Sequence, residues 1–210
     1  MRYKRLFILG ASDFGRDMET YIDSMPLKGA DWRISGFLDD NVKALDGYRS
    51  DYKVLATIRD FRFKKGDLAL LGISDPEHKR KLYDLLKDKV GFLTYVAPDA
   101  FIGKFVTIGE GSVICPRAFV GPSVEIGRAV TINGGTKLGH DVRIGAYSSL
   151  MVDITVGGHS EIGEGVYIGS GATIIPSRKI RDRARVGAGS VVIRNVAEGQ
   201  SVFGNPAGPI

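Results

Sequence analysis

From Ile102 to Val192 every sixth residue is aliphatic, and the frame never slips. The steps run Ile102, Ile108, Ile114, Val120, Ile126 and Ile132, then on through Leu138 and Leu150 to Val186 and Val192. Residues 102–197 make sixteen such hexads. Glycine follows the aliphatic in ten of them, and the fifth position is Ala, Ser, Thr, Val or Ile in all but one, where Arg178 stands. Repetition on a fixed short period marks a solenoid. A six-residue unit holds one short strand and one tight corner, with the aliphatic and the small fifth residue facing inward. Three units close a triangular coil, and coils stack at strand spacing, about 4.8 Å. The sixteen hexads therefore predict about five coils of parallel β-helix.

The preceding residues follow another pattern. Short apolar strands are expected at 5–9, 33–38, 67–71 and 91–96. Helical spacing covers 16–25 and 77–89, the second helix carrying Leu82, Leu85 and Leu86 on one face. Alternation of strand and helix predicts a small parallel sheet. The chain thus reads as an α/β Rossmann-like domain, 1–96, joined to an all-β parallel β-helix domain, 97–210. The first domain and residues 198–210 are expected to cap the two ends of the solenoid.

Composition narrows the class. Hydrophobic residues make up 43% of the chain and charged residues 25%, which excludes a disordered chain. The net charge is +5 and the isoelectric point about 9.3. A basic surface suits nucleic acid, an anionic membrane or a polyphosphate cofactor. No basic block interleaved with aromatics is present, so nucleic acid is the weakest of the three. The single cysteine, Cys115, forbids an internal disulfide and fits a reducing compartment. No apolar run is long enough to span a bilayer, and residues 6–9 are too short for a signal-peptide core. These features point to a cytoplasmic protein that neither enters a membrane nor binds nucleic acid.

Gly10-Ala11-Ser12-Asp13-Phe14-Gly15 is a degenerate dinucleotide-type turn, with Ser12 in place of the middle glycine. It puts backbone N–H groups at a helix start, where a phosphate binds well. Asp39 and Asp40 follow the second strand, where a ribose hydroxyl would be read. The same residues also suit a tight turn with no ligand, and the motif by itself does not decide between the two.

Taken together, the two halves resemble the sialic-acid O-acetyltransferase-like family of hexapeptide-repeat sugar acetyltransferases. That family includes enzymes that N-acetylate UDP-4-amino sugars in bacterial glycan pathways. The resemblance rests on Gly10–Gly15, on Gly36-Phe37-Leu38-Asp39-Asp40-Asn41 and on Gly72-Ile73-Ser74-Asp75-Pro76. In the second half it rests on Gly139-His140-Asp141, on Val186-Gly187-Ala188-Gly189-Ser190-Val191-Val192 and on Phe203-Gly204-Asn205-Pro206-Ala207. It implies a left-handed β-helix and a homotrimer. Ser12, Asp13, Phe14, Asp39, Asp40 and Gly72 would line the pocket for a UDP-linked sugar. His140 would be the catalytic base, with Asp141 tuning it. Acetyl-CoA would lie between two subunits near Ser149, Gly158, Ser170 and Ala188, with Asn205 and Pro206 in a loop closing over it. No metal is implied. Three positions depart from the family: Phe14 and Ser149 stand where histidine is frequent, and Gly208 stands where Arg or Lys usually follows Pro-Ala. Arg178, Lys179, Arg181, Arg183 and Arg185 are candidates to supply the missing phosphate contact, or form a solvated basic face.

The implied chemistry is direct transfer. An amine or hydroxyl attacking a thioester must lose a proton, and imidazole is suited to take it. Backbone N–H groups around Gly157-Gly158 could stabilise the oxyanion. His159 lies nineteen residues after His140, close to one coil of eighteen, and should stand nearly above it, to touch substrate or simply face solvent. Cys115 occupies a crowded corner and reads as packing rather than a nucleophile. A three-histidine zinc centre would need His78 beside His140 and His159, yet His78 falls in the other domain. Two alternatives to N-acetylation stay open: O-acetylation of a sugar hydroxyl, and a non-catalytic nucleotide-sugar-binding or scaffold role.

Overall fold

The computed structural model describes residues 3–210. The chain forms two compact units. One comprises the residues up to Ser74 together with Lys81–Leu93; the other comprises Asp75–Arg80 and Thr94–Ile210.

The first unit is built on a parallel sheet. Its order is β3 (Val54–Ala56), β2 (Trp32–Leu38), β1 (Lys4–Leu9), β4 (Leu68–Leu71) and β5 (Gly91–Phe92). The central strand β1 is fully buried from Leu6 to Leu9, as expected where both faces of a parallel sheet are covered. Helix α1 (Asp13–Ser24) follows β1 and buries Phe14, Met18 and Ile22. At the start of the sheet the Asp67 carboxylate accepts two hydrogen bonds from Arg5, at 2.9 and 2.6 Å, and one from Lys64 N–H.

Three details differ from the expectation. Strand β3 has only three residues, Val54, Leu55 and Ala56, none of them buried, too short an apolar run to be read as a strand. The strand expected at 91–96 is two strands: Gly91–Phe92 pairs with β4, whereas Tyr95–Val96 pairs with Val113–Ile114 in the solenoid. Helix α2 (Pro76–Leu86) buries Pro76, Lys79, Tyr83 and Leu86, while Leu85 is exposed. The buried stripe thus keeps helical spacing but is rotated from the leucine face, and it contains a lysine.

The second unit is a left-handed parallel β-helix of three sheets, with six, five and eight strands. We name each face by one outward residue. The Phe119 face runs from Phe101–Ile102 to Val191–Val192, the Glu125 face from Thr107–Ile108 to Lys179–Ile180, and the Thr131 face from Tyr95–Val96 to the C-terminal hairpin. Neighbouring strands are eighteen residues apart, for example Thr131 beside Ser149. The aliphatic of each hexad and the small fifth residue form one continuous core.

The fifth position also explains its own hydroxyls. Ser112 Oγ donates to Gly127 O and accepts from Val130 N–H, joining one coil to the next. Thr136 repeats this with Met151 O and Ile154 N–H, and Ser148 with Gly163 O and Val166 N–H. A buried hydroxyl is tolerated where both its roles are satisfied. At Arg178, the exception, the side chain turns back so that Nε donates to Pro176 O.

Corners are equally regular. The fourth residue of every hexad but the last has positive φ, including the non-glycine residues Ser123, Asp141, His159 and Ser177, at 57–61°. Glycine after the aliphatic admits the next coil: a Cβ on Gly139 would lie 2.6 Å from Gly158 N. The chain ends in an antiparallel hairpin, Ser201–Gly204 with Ala207–Pro209, which extends the Thr131 face.

Candidate active site

His140 and Asp141 form the corner between the Phe119 and Glu125 faces. His140 Nδ1 lies 2.7 Å from Asp141 Oδ2. A carboxylate can only accept at neutral pH, so this contact puts the ring proton on Nδ1 and leaves the Nε2 lone pair open. The ring lies over Gly158 of the next coil, where a Cβ would come within 2.8 Å of Nε2. Gly157 N–H is spent on Ile174 O and His159 N–H on His140 O. Gly158 N–H has no backbone acceptor among the described residues, which leaves it as a candidate donor on this corner. His159 completes the cluster. Its ring stands edge-on to that of His140, with centroids 4.7 Å apart, and its Nδ1 is 3.9 Å from Asp141 Oδ2. All three side chains are exposed.

The residues expected around the cofactor separate into groups. Ser170 and Ala188 are exposed, eighteen residues apart, on the corner between the Thr131 and Phe119 faces, tied by Gly189 N–H to Ser170 O at 2.8 Å. Asn205 and Pro206 are exposed and form the turn of the hairpin that prolongs the same face; the bond between them is cis. Gly158 sits with His140 on a different corner. Ser149 corrects the expectation: it is fully buried on the Thr131 face, so it offers no hydroxyl to a ligand. The outward positions Tyr95, Val113, Thr131 and Ser149 on this face are all buried, and Lys79 donates to Thr131 Oγ1 among them.

In the first unit the glycine turn is tight. A Cβ on Gly72 would lie 2.9 Å from Gly15 Cα and 3.0 Å from Gly10 O. Ser12 caps α1 with its backbone alone, and both Ser12 and Asp13 are exposed. Asp39 is engaged: its Oδ2 accepts from Ala11 N–H and its Oδ1 from Asn41 N–H, both at 2.8 Å. Each oxygen keeps a second lone pair, so Asp39 shapes the turn and can still read a hydroxyl. Asp40 accepts from Ile58 N–H. The Phe14 ring is 6% exposed and packs in the core of the first unit. Sequence reasoning overlooked Arg16, whose guanidinium bonds Asp13 at 2.8 Å and lies 3.7 Å over the Tyr48 ring. An arginine one residue past a phosphate-type turn was the available signal.

The basic run does not form one patch. Lys179 pairs with Glu161 on the Glu125 face, Arg183 with Glu198 at a corner, and Arg185 reaches Asp75 on the Thr131 face. His78 belongs by contacts to the solenoid unit after all, yet it pairs with Asp75 and is not among the groups clustered with His140 and His159. Cys115 is fully buried. Lys79 is the other overlooked residue. Fully buried, its ammonium donates to Thr131 Oγ1 and Ser148 O, both at 3.0 Å, and burial lowers its pKa to about 7. No helix among the described residues is long and apolar enough to cross a membrane.

Comparison with known proteins agrees with this fold. The PglD N-terminal domain family matches residues 5–86, and the bacterial transferase hexapeptide family matches residues 159–194. No curated protein matches by sequence. Among solved structures, the acetyltransferase domain of PglB from Neisseria gonorrhoeae superposes with a TM-score of 0.89 at 23% identity, covering 99% of this chain and 100% of that one. PerB from Caulobacter crescentus, in complex with CoA and GDP-perosamine, has a TM-score of 0.79 at 24% identity, covering 98% and 96%. WeeI from Acinetobacter baumannii has a TM-score of 0.58 at 24% identity, covering 99% and 100%. The chain thus joins a PglD-type N-terminal domain to bacterial-transferase hexapeptide repeats and shares the fold of these solved acetyltransferase structures.

Proposed function

We propose that this protein transfers the acetyl group of acetyl-CoA to the amine of a nucleotide-linked amino sugar, with His140 as general base. The observation that carries the reading is the 2.7 Å contact of His140 Nδ1 with Asp141, which leaves Nε2 free beside the unspent N–H of Gly158. The amine attacks the thioester carbonyl and Gly158 N–H donates to the oxygen as charge develops there. Nε2 takes the proton from the attacking nitrogen, and collapse expels the CoA thiolate, which recovers a proton from the imidazolium. The products are the acetamido sugar and free CoA. The C. crescentus structure supports a nucleotide-linked amino sugar as acceptor and CoA as the acyl carrier.

The cofactor path needs a second copy of the chain in this reading. Ser170, Ala188, Asn205 and Pro206 share one corner column, whereas His140 and Gly158 share another. A groove between copies in a homotrimer would bring one column of each together. The glycine turn, with Ser12, Asp13, Asp39 and Gly72, would hold the nucleotide. We take UDP as the nucleotide, bacterial surface glycan assembly as the setting and the cytoplasm as the place. The intact His140–Asp141 pair favours turnover over a scaffold role.

The test is release of free CoA thiol from acetyl-CoA with a panel of UDP- and GDP-linked 4-amino sugars. Release on one of them, falling by roughly 10²- to 10⁴-fold in His140→Ala, is the expected result. Release only with hydroxyl acceptors would move the reaction to O-acetylation, and silence throughout would end the transferase reading.

A further inference from the structure

We propose that His140, Asp141 and His159 form a binding site for a divalent transition-metal ion of the Zn²⁺ type, and that occupation of this site inhibits acetyl transfer. The inhibitory half rests on His140 being the base; the binding half does not. Two coils supply the donors. Asp141 and His159 are the same corner position one coil apart, with φ of 57° and 58°, and the backbone bond from His159 N–H to His140 O, 3.0 Å, holds the two corners in register. One ligand atom from each side chain lies within 4.8 Å of the others.

The donor set is the right kind. Two imidazoles and one carboxylate, with a fourth position open to solvent, is the make-up of open tetrahedral zinc sites. Bonds of about 2.0–2.1 Å put tetrahedral ligands roughly 3.3 Å apart, so the three groups must close in somewhat. Their side chains are 47–62% exposed, so rotation at the surface suffices. The corners above and below carry Ser177 and Ser123, which confines the site to this one pair of coils. The other cluster of the same size, Glu19, Asp23 and Asp51, lacks this character: Glu19 is occupied by Ser50 and by Asp51 N–H.

Either mode of binding removes the base. Through Nε2, the ion occupies the lone pair that would accept the proton. Through Nδ1, the ion displaces the proton held toward Asp141; in a neutral ring the proton then resides on Nε2, and no lone pair remains.

The experiment is calorimetric titration of metal-free, untagged full chain with ZnCl₂, comparing wild type, His159→Ala and His78→Ala. Wild type is expected to bind one ion per chain. His159→Ala should bind more than about tenfold more weakly, since losing a ligand costs at least as much as losing an outer partner. His78→Ala should match wild type. In the transfer assay, each protein scaled to its own zinc-free rate, inhibition should need correspondingly more zinc in His159→Ala. Absence of one-to-one binding in wild type, or equal binding in His159→Ala, would overturn the site. Because the titration needs no substrate, zinc binding in a protein that transfers no acetyl group would sink the transferase reading alone.

Discussion

The imidazole of His140 rests on Gly158, a residue with no side chain in the one place where a Cβ would meet Nε2 at 2.8 Å. The proposed base and the candidate oxyanion donor are therefore set against each other by the stacking of two coils. Gly158 has no positive φ, so alanine there strains the ring and not the backbone. Gly158→Ala should lower kcat by about 10- to 100-fold, because a displacement near 1 Å is enough for such a loss. The thermal midpoint should barely move. Unchanged kcat would show that the ring does not act from this position.

Asp141 fixes the tautomer of His140, and its role is separable from bulk. In Asp141→Asn the amide can present either its oxygen or its NH₂ group to Nδ1, and the ring is no longer held with Nε2 unprotonated. The expected result is a drop in kcat of at least about tenfold with little change in the KM for acetyl-CoA. A loss confined to KM would make Asp141 a binding residue.

How far the sequence carried differed by residue. The solenoid was legible because one inward position recurs every six residues, so each aliphatic from Ile102 to Val192 reports the same contact. Handedness was not, since a period carries no chirality; it came with the resemblance. His140 and Asp141 were legible as a pair because adjacent residues of one corner stay adjacent in space. Ser149 is buried although the same hexad position is exposed at Phe119 and Glu125, because the six-residue pattern does not tell the three faces apart. The buried Lys79 was hidden by its type, since lysine is almost never fully buried, although its spacing from Tyr83 and Leu86 placed it on the buried stripe.

Asp39 was read as a ribose-binding acid, and its hydrogen bonds show a second duty. Both its oxygens hold backbone N–H groups, one from the glycine turn at Ala11. Asp39→Ala should cost about 1–3 kcal/mol of stability, as hydrogen bonds to a charged group do. It should also raise the KM for the nucleotide sugar while leaving that for acetyl-CoA alone. Denaturant melts and initial-rate kinetics on the same preparations check both; an unchanged melt would leave Asp39 with no part in holding the turn.

Lys79 gives a pH dependence whose direction is fixed by its burial. Its pKa falls from 10.5 to about 7 because burial disfavours the charged form, with Asp75 opposing the shift. In the unfolded chain the ammonium keeps its proton to near 10.5. Between pH 7 and 10.5 the unfolded state thus binds more protons than the folded one, so the stability this residue contributes rises with pH across that window. The upper limit is about 1.4 kcal/mol per pH unit. Below pH 7 both states are protonated and the cost of burying the charge is complete. The neutral amine still donates to Thr131 Oγ1 and Ser148 O, which Lys79→Met would strand. The stability difference between wild type and Lys79→Met should therefore move in favour of wild type as pH is raised from 7 to 9.5. Urea melts of both proteins across that range test it, and parallel curves would mean that Lys79 titrates as it does in water.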